Sequence, residues 1–176
     1  MWMASSLPYL SPQREGQADA WSQEAAAAGR FGTQRLREVG EMAPPPEVSA
    51  ALGLVDGTSA AVRRRTIMLD GRPVELADSW YPTAIAGGTA LARHGKIKGG
   101  AVTLLADLGF TVHEAREEIE VRAATVEEAA ELALPDGAPV IVLRRTCLTV
   151  EDVPFEASVM VMAPEGRRLR YRLIAS

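Results

Sequence analysis

Apolar and polar residues alternate along two stretches of this chain, and a turn signal interrupts each alternation near its middle. Between Ala60 and Pro82 the sequence reads AAVRRRTIMLDGRPVELADSWYP. Asp70-Gly71 suits a two-residue type I′ turn, which needs φ > 0 at both central positions. Leu69 then faces Arg72, and the period-2 rule puts Arg63, Arg65, Ile67 and Leu69 on one face with Val74, Leu76, Asp78 and Trp80. Arg64, Thr66, Met68, Glu75, Ala77 and Ser79 take the other face. In this register Arg63 lies across from Asp78, while Arg65 faces only Leu76, where a core residue is expected. The second stretch runs from Val140 to Val150, turns at Glu151-Asp152 and returns through Val153–Ala163. It sets Cys147 opposite Glu156 and Arg145 opposite Ser158. Ile141, Leu143, Arg145, Cys147 and Thr149 then share a face with Glu156, Ser158, Met160 and Met162.

Cap and terminator signals place the helices between these hairpins. Asp19 to Ala28 is Asp-capped, Ala-rich and ended by Gly29; Pro46 to Leu52 starts on a proline and stops at Gly53. A helical turn is expected over 82–87, and an amphipathic helix opens at Gly99-Gly100 and stops at Gly109. Thr125-Val126-Glu127-Glu128 is a capping box, opening a helix to about Leu132. Further strands are expected at Thr33–Met42, where helix is the alternative, at Thr111–Ala123, a Glu-rich stretch that also favours helix and has Val112, Ile119 and Val121 as weak anchors, and at Arg168–Ile174. Residues 89–98 show no clear preference. Residues 1–17 contain two prolines and no period, and read as an extended or poorly ordered arm. Helices interleaved with antiparallel hairpins make an α+β domain. The chain divides into an N-terminal arm with a short helix over 1–30 and a domain over 31–176.

Composition narrows the function classes. With 176 residues and 47% hydrophobic content, the chain has enough material for one real core. A formal charge of −4 argues against bulk binding to a phosphate backbone. The single cysteine, Cys147, excludes an internal disulfide and reads as a small core hydrophobe. Two histidines, His94 and His113, are too few and too far apart for an evident metal site, and His113 reads as a surface or rim residue. No apolar run reaches the ~20 residues of a membrane span. The N-terminus lacks the basic and hydrophobic regions of a signal peptide, so the expected setting is cytoplasmic, without membrane or cofactor.

Candidate chemistry centres on Arg65. Burying a lone guanidinium costs about several kcal/mol unless an anion meets it. Arg65 is therefore either a snorkelling side chain that reaches solvent or a cavity arginine that meets an acidic small molecule. The Gly99-Gly100 helix start offers backbone N–H groups at Gly100, Ala101 and Val102 and a positive dipole end. Arg145 and Glu156 are diagonal neighbours: a cross-strand ion pair, or a site where Glu156 accepts ligand hydroxyls or pairs with Arg65.

From Val62 onward the residues resemble the UTRA effector-binding domain of GntR-type bacterial transcription regulators, HutC subfamily. The shared pattern is the arginine-rich strand, Asp70-Gly71, Pro73, Ser79-Trp80-Tyr81-Pro82, Gly109 and Glu118-Ile119. It continues through Ala123-Ala124-Thr125, Glu128-Ala129, Leu132, Gly137-Ala138-Pro139-Val140, Arg145-Thr146 and Pro154-Phe155-Glu156, and ends in Arg168-Leu169-Arg170-Tyr171. The resemblance implies a six-stranded antiparallel sheet flanked by helices, similar to chorismate lyase. It also implies a homodimer and a small metabolite held between sheet and helices. Carried over by position, the ligand-binding set is Arg65, Arg63, Trp80, Gly100, Ala101, Val102, Arg145, Glu156, Ser158 and Met162. Ile67 stands where sugar-phosphate-binding members keep a second arginine, and Met162 where they keep a tyrosine. Both departures remove polar groups and point to a more apolar ligand with one anionic group.

Such regulators carry an N-terminal winged helix-turn-helix, which residues 1–40 are too few to supply. The expected function is effector sensing, with DNA reached only indirectly through a missing or separate DNA-binding part. The alternative is an enzyme that reuses the same cavity on a carboxylate-bearing substrate, with Arg65 binding and Glu156 as acid or base. No nucleophile–base pair supports it, and no catalytic residue is assigned.

Overall fold

Both alternating stretches lie at the centre of one six-stranded antiparallel sheet in the computed structural model, which describes residues 2–4, 6–14 and 17–171. The chain begins with β1 (Trp2–Ala4), α1 (Leu7–Leu10), α2 (Ala20–Ala27), β2 (Gly32–Met42) and α3 (Pro46–Ala51). The first hairpin is β3 (Ala60–Leu69) and β4 (Arg72–Pro82), followed by α4 (Thr83–Ala86), a 3₁₀ turn at Ala90–Ala92 and α5 (Gly100–Asp107). Next come β5 (Glu114–Ala123), α6 (Val126–Glu131), β6 (Pro139–Leu148), β7 (Pro154–Met162) and β8 (Arg167–Leu169). The sheet order is β2-β3-β4-β7-β6-β5, and β1 pairs in parallel with β8 in a separate ribbon.

Local signals set most of these elements. Asp19 caps α2 by accepting from the Ser22 N–H, and Thr125 and Glu128 close both bonds of the capping box that starts α6. Asp70 and Gly71 have φ of 48° and 78°, as a type I′ turn requires, and Leu69 pairs with Arg72. Expected strands at Thr33–Met42 and Thr111–Ala123 form as β2 and β5. The expected final strand is shorter, and residues 172–174 lie outside the described residues. Ile119 and Val121 do not anchor β5: they are 43% and 69% exposed, on a strand at the sheet edge.

The first hairpin departs from simple alternation after its turn. Met68 pairs with Pro73 but Ile67 pairs with Glu75, so Val74 is an extra residue. Proline has no N–H to give the ladder, and the strand bulges beside it. The Val74 carbonyl accepts instead from the Ala163 N–H and the Arg167 guanidinium. Every later pair shifts by one: Arg65 faces Ala77, Arg64 faces Asp78, and Arg63 faces Ser79. Ser79 and Tyr81 therefore share the Arg65 face, and Trp80 moves to the opposite one. In the second hairpin Cys147 faces Glu156 and Arg145 faces Ser158, as expected. The turn there is longer by one residue, and a bulge at Phe155 compensates.

Apolar clusters cover both faces. On one, Trp80 and Val62 pack with Val48 and Leu52 of the α3 region, and Val140, Val142 and Val161 pack with Ala129 and Leu132 of the α6 region. On the other, α2 lays Trp21 and Ala25 on Ile67, Leu69, Ala77, Leu143 and Met160. Beyond them Leu105 of α5 packs with Tyr81, Leu91, Cys147 and Phe155. Between these two clusters runs a polar row in strand register: Arg63, Ser79, Ser158, Arg145 and Glu117. No helix among the described residues is long and apolar enough to cross a membrane.

Candidate functional site

A cavity of about 180 Å³ lies over this polar row, between the α2 and α5 sides of the sheet face. That volume equals roughly six waters at ~30 Å³ each, enough for a small metabolite. Its floor is Arg65, Ile67, Ala77, Ser79, Ser158, Met160 and Met162, with Glu156 and Arg145 beside them. Gly100, Ala101 and Val102 form the wall on the α5 side. Gly99, in the left-handed region at φ 76°, caps that helix, and its carbonyl accepts from the Thr103 hydroxyl at 2.7 Å.

The N-terminal arm, expected to be extended or poorly ordered, instead supplies a further wall. Ser6, Pro8, Tyr9, Ser11 and Gln13 all line the cavity. Three contacts pin the arm there. The Gln13 N–H donates to Thr103 Oγ1 (3.0 Å), the Tyr9 hydroxyl to Glu24 Oε2 (2.7 Å), and Arg145 Nη2 to Ser6 Oγ (3.0 Å). An aperiodic sequence with two prolines carries no signal for such docking; the single legible hint is that Tyr9 could offer a hydroxyl from an apolar ring.

Three arginines on this face have different duties. Arg63, 6% exposed, is not a cavity residue: its guanidinium donates to the carbonyls of Ala90, Leu91, Arg93 and Gly95 at 2.7–3.3 Å. It holds the 88–98 segment against the sheet, and its expected partner Asp78 is on the other face with Arg64 (3.6 Å) and Arg37 (3.2 Å). Arg145 lines the cavity but is tied to Glu117 at 2.6 Å, not to Glu156. Burial alone would raise the Glu117 carboxyl; hydrogen bonds from Ser6 and Arg145, with the guanidinium charge, hold it below its ordinary range instead.

Arg65 is the arginine with capacity to spare. Nη2 donates to Ser79 Oγ at 2.8 Å, Nη1 reaches Gln34 Oε1 only at 3.5 Å, and Nε is buried with no partner. Ser79 and Ser158 hydroxyls stand 3.0 Å apart, and Ser158 donates to Glu156 Oε1 at 2.9 Å. Each hydroxyl has one proton, so the chain is directional: Arg65 to Ser79 to Ser158 to Glu156. Two hydroxyls thus connect the cation to the carboxylate, so Glu156 pairs with Arg65 in relayed form. Arg65 lines the cavity together with Ile67 and Met160.

Trp80 is the other expected site residue that the fold places elsewhere. The bulge at Val74 turns it to the opposite face, where it is 2% exposed and lies 5.9 Å from the Arg64 guanidinium carbon. Tyr81 takes its place on the cavity side. Burial, reinforced by the Glu156 charge, pushes the Tyr81 phenol well above its ordinary value. Cys147 is buried and its thiol is pushed up to about 12, first by burial and then by Glu156.

This arrangement has counterparts in known proteins. Residues 27–166 match the model of the UTRA domain. The chain belongs to the UTRA domain family. A relative from Streptomyces coelicolor, an uncharacterised HTH-type transcriptional regulator, is 29% identical over 155 residues, and the match covers 85% of this chain. The UTRA chain spans 58% of that relative's length. In fold it is similar to PhnF from Mycobacterium smegmatis, with a TM-score of 0.79 at 16% identity over 93% of this chain and 72% of that one. The effector domain of PhnF alone gives a TM-score of 0.75 at 18% identity, covering 94% and 99% of the two chains. The ligand-binding domain of a regulator assigned to the GntR family, from Bordetella bronchiseptica, gives 0.69 at 22% identity over 93% and 95%. The six-stranded antiparallel sheet with its helices matches the fold of these effector and ligand-binding domains.

Proposed function

We propose that this UTRA domain senses a small acidic or amphipathic metabolite as part of a GntR-type regulator of the HutC subfamily. The ligand takes up the cavity between the sheet, α5 and the N-terminal arm. Its anionic group meets Arg65 and the N–H groups at Gly100 to Val102, and its apolar part lies on Ile67, Met160 and Met162. Glu156, Ser158 and Arg145 border the same space. The observation that supports this most is Arg65, whose guanidinium has one firm hydrogen bond, to Ser79, and a buried Nε without a partner. A buried donor in that state loses solvation without compensation, and a ligand anion supplies it. Ile67 leaves room for one anionic group and no second arginine clamp. The domain works as a homodimer in the cytoplasm, and reaches DNA only through a winged helix-turn-helix elsewhere in the regulator or on a separate chain.

A thermal-shift screen against acidic metabolites tests this reading. Stabilisation without turnover, abolished in Arg65→Ala, is the expected result. Turnover of a stabilising compound favours the enzyme reading, and stabilisation undiminished in Arg65→Ala places the site elsewhere.

A further inference from the structure

The α2 side of the cavity carries a second set of polar groups, drawn from four elements that are far apart in sequence. Tyr9 of α1 donates to Glu24 Oε2 of α2 at 2.7 Å. Glu75 of β4 accepts from Arg167 Nη1 of β8 at 2.8 Å, and the same nitrogen contacts Met162 Sδ at 3.1 Å. All of these residues line the cavity that Arg65 lines. Two carboxylates therefore stand beside one guanidinium, and Arg167 is committed to Glu75 with only 2% of its side chain exposed.

Glu24 keeps one oxygen in reserve. Oε1 is buried and has no hydrogen-bond partner, while Oε2 is held by Tyr9. A carboxylate oxygen accepts and cannot donate, so the group that satisfies Oε1 must be a donor. A donor that is also a cation offsets the excess negative charge of the cluster. Burial raises the Glu24 carboxyl above its ordinary range, and the Tyr9 hydrogen bond and the Arg167 charge offset this only in part. Glu75 faces Ile67, two residues along β3 from Arg65, which is roughly 7 Å of strand.

We propose that the cavity selects a zwitterionic ligand, an amino acid whose carboxylate binds Arg65 and whose ammonium binds Glu24 Oε1, with a short apolar chain between them over Ile67 and Ala77. This rests on the reading of the cavity as the effector site and adds the class of effector. It also gives α2 and the arm a recognition role, since Glu24 and the Tyr9 that orients it are contributed by them.

The experiment is calorimetric titration of the full chain with amino acids of three to eight carbons that carry a terminal amine. Matched plain carboxylates and matched hydroxy acids are the comparison sets. At least one amino acid is expected to bind about ten- to a hundredfold tighter than its matched carboxylate, the range of a charge-assisted hydrogen bond. In Glu24→Gln that advantage is expected to vanish while carboxylate binding persists, because Tyr9 holds the amide oxygen and the amide nitrogen then faces the ammonium. A melting curve of Glu24→Gln within a few degrees of the parent confirms that the variant is folded. Carboxylates that bind as tightly as the amino acids overturn the zwitterion proposal and leave the effector reading standing. Hydroxy acids that match the amino acids also overturn it, as does an advantage that survives Glu24→Gln. If neither set binds, both readings fall.

Discussion

Replacing Arg63 by alanine should destabilise the domain strongly, and replacing Arg65, two residues away on the same strand, should barely affect it. Arg63 donates to four backbone carbonyls, and the bond to Leu91 is fully buried. Water can reach the partly buried carbonyls of Ala90, Arg93 and Gly95 after truncation, but the Leu91 carbonyl is left without a donor. An unsatisfied buried acceptor costs about 1–3 kcal/mol, and loss of the packed stem adds about 1 kcal/mol more. The expected total of about 2–4 kcal/mol corresponds to a fall in Tm of roughly 5–15 °C for a chain of this size. Arg65→Ala gives up one bond of 2.8 Å and also relieves the desolvation of a buried, unpartnered Nε. The two effects oppose each other, and the net change should stay within about 1 kcal/mol. Urea unfolding followed by circular dichroism measures both variants on one scale. Equal losses, or a larger loss for Arg65→Ala, refute the assignment of Arg63 as structural and Arg65 as a site arginine.

Other substitutions probe the walls and the polar row. A Cβ at Gly32 would stand 2.7 Å from both Ala25 Cβ and Trp21 Nε1, so Gly32→Ala should lift α2 and cost about 1–3 kcal/mol, with a shifted tryptophan emission. The depressed Glu117 carboxyl stabilises the fold above the ordinary glutamate range near pH ~4.3 and loses that contribution as pH falls through its lower folded value. Tm against pH should therefore fall less steeply below about pH 4 in Glu117→Gln than in the parent. Cys147, buried with its thiol raised to about 12, should resist a thiol reagent in the native state at neutral pH and react only after denaturation. Thr125→Ala should lose about 1 kcal/mol through the broken capping box, measured by the same urea titration.

The parts of this fold that were legible in the sequence are those set by short-range chemistry. Asp70-Gly71 specifies its own turn, Asp19 and Thr125 their own caps, and the alternation from Val140 to Met162 the pairing of Arg145 with Ser158. The α+β class follows from these; the six-stranded sheet and the ten expected site residues came instead through the family resemblance, and eight of the ten line the cavity. What alternation could not reveal is the bulge beside Pro73. A proline early in a strand signals a missing donor, but whether the ladder skips a residue there depends on what takes the Val74 carbonyl, and those partners, Ala163 and Arg167, lie some 90 residues away. One skipped residue exchanged Trp80 for Ser79 and Tyr81 on the cavity face and separated Arg63 from Asp78. The arm was illegible for a different reason. Its hold on the cavity combines single hydrogen bonds at Ser6, Tyr9 and Gln13 with the packing of Tyr9 and Leu10 against two apolar clusters, and contacts so few leave no periodic trace. Glu24 and Glu75 are equally illegible, because each reads alone as an ordinary surface or strand glutamate.

Backbone chemical-shift mapping locates the ligand most directly. With the tightest acid from the screen added to labelled protein, the largest perturbations should fall on the amides of Ser79, Ser158 and Gly100 to Val102, with the arm around Tyr9 responding as well. Perturbations centred instead on Val62, Trp80 and α3, across the sheet, would contradict the account.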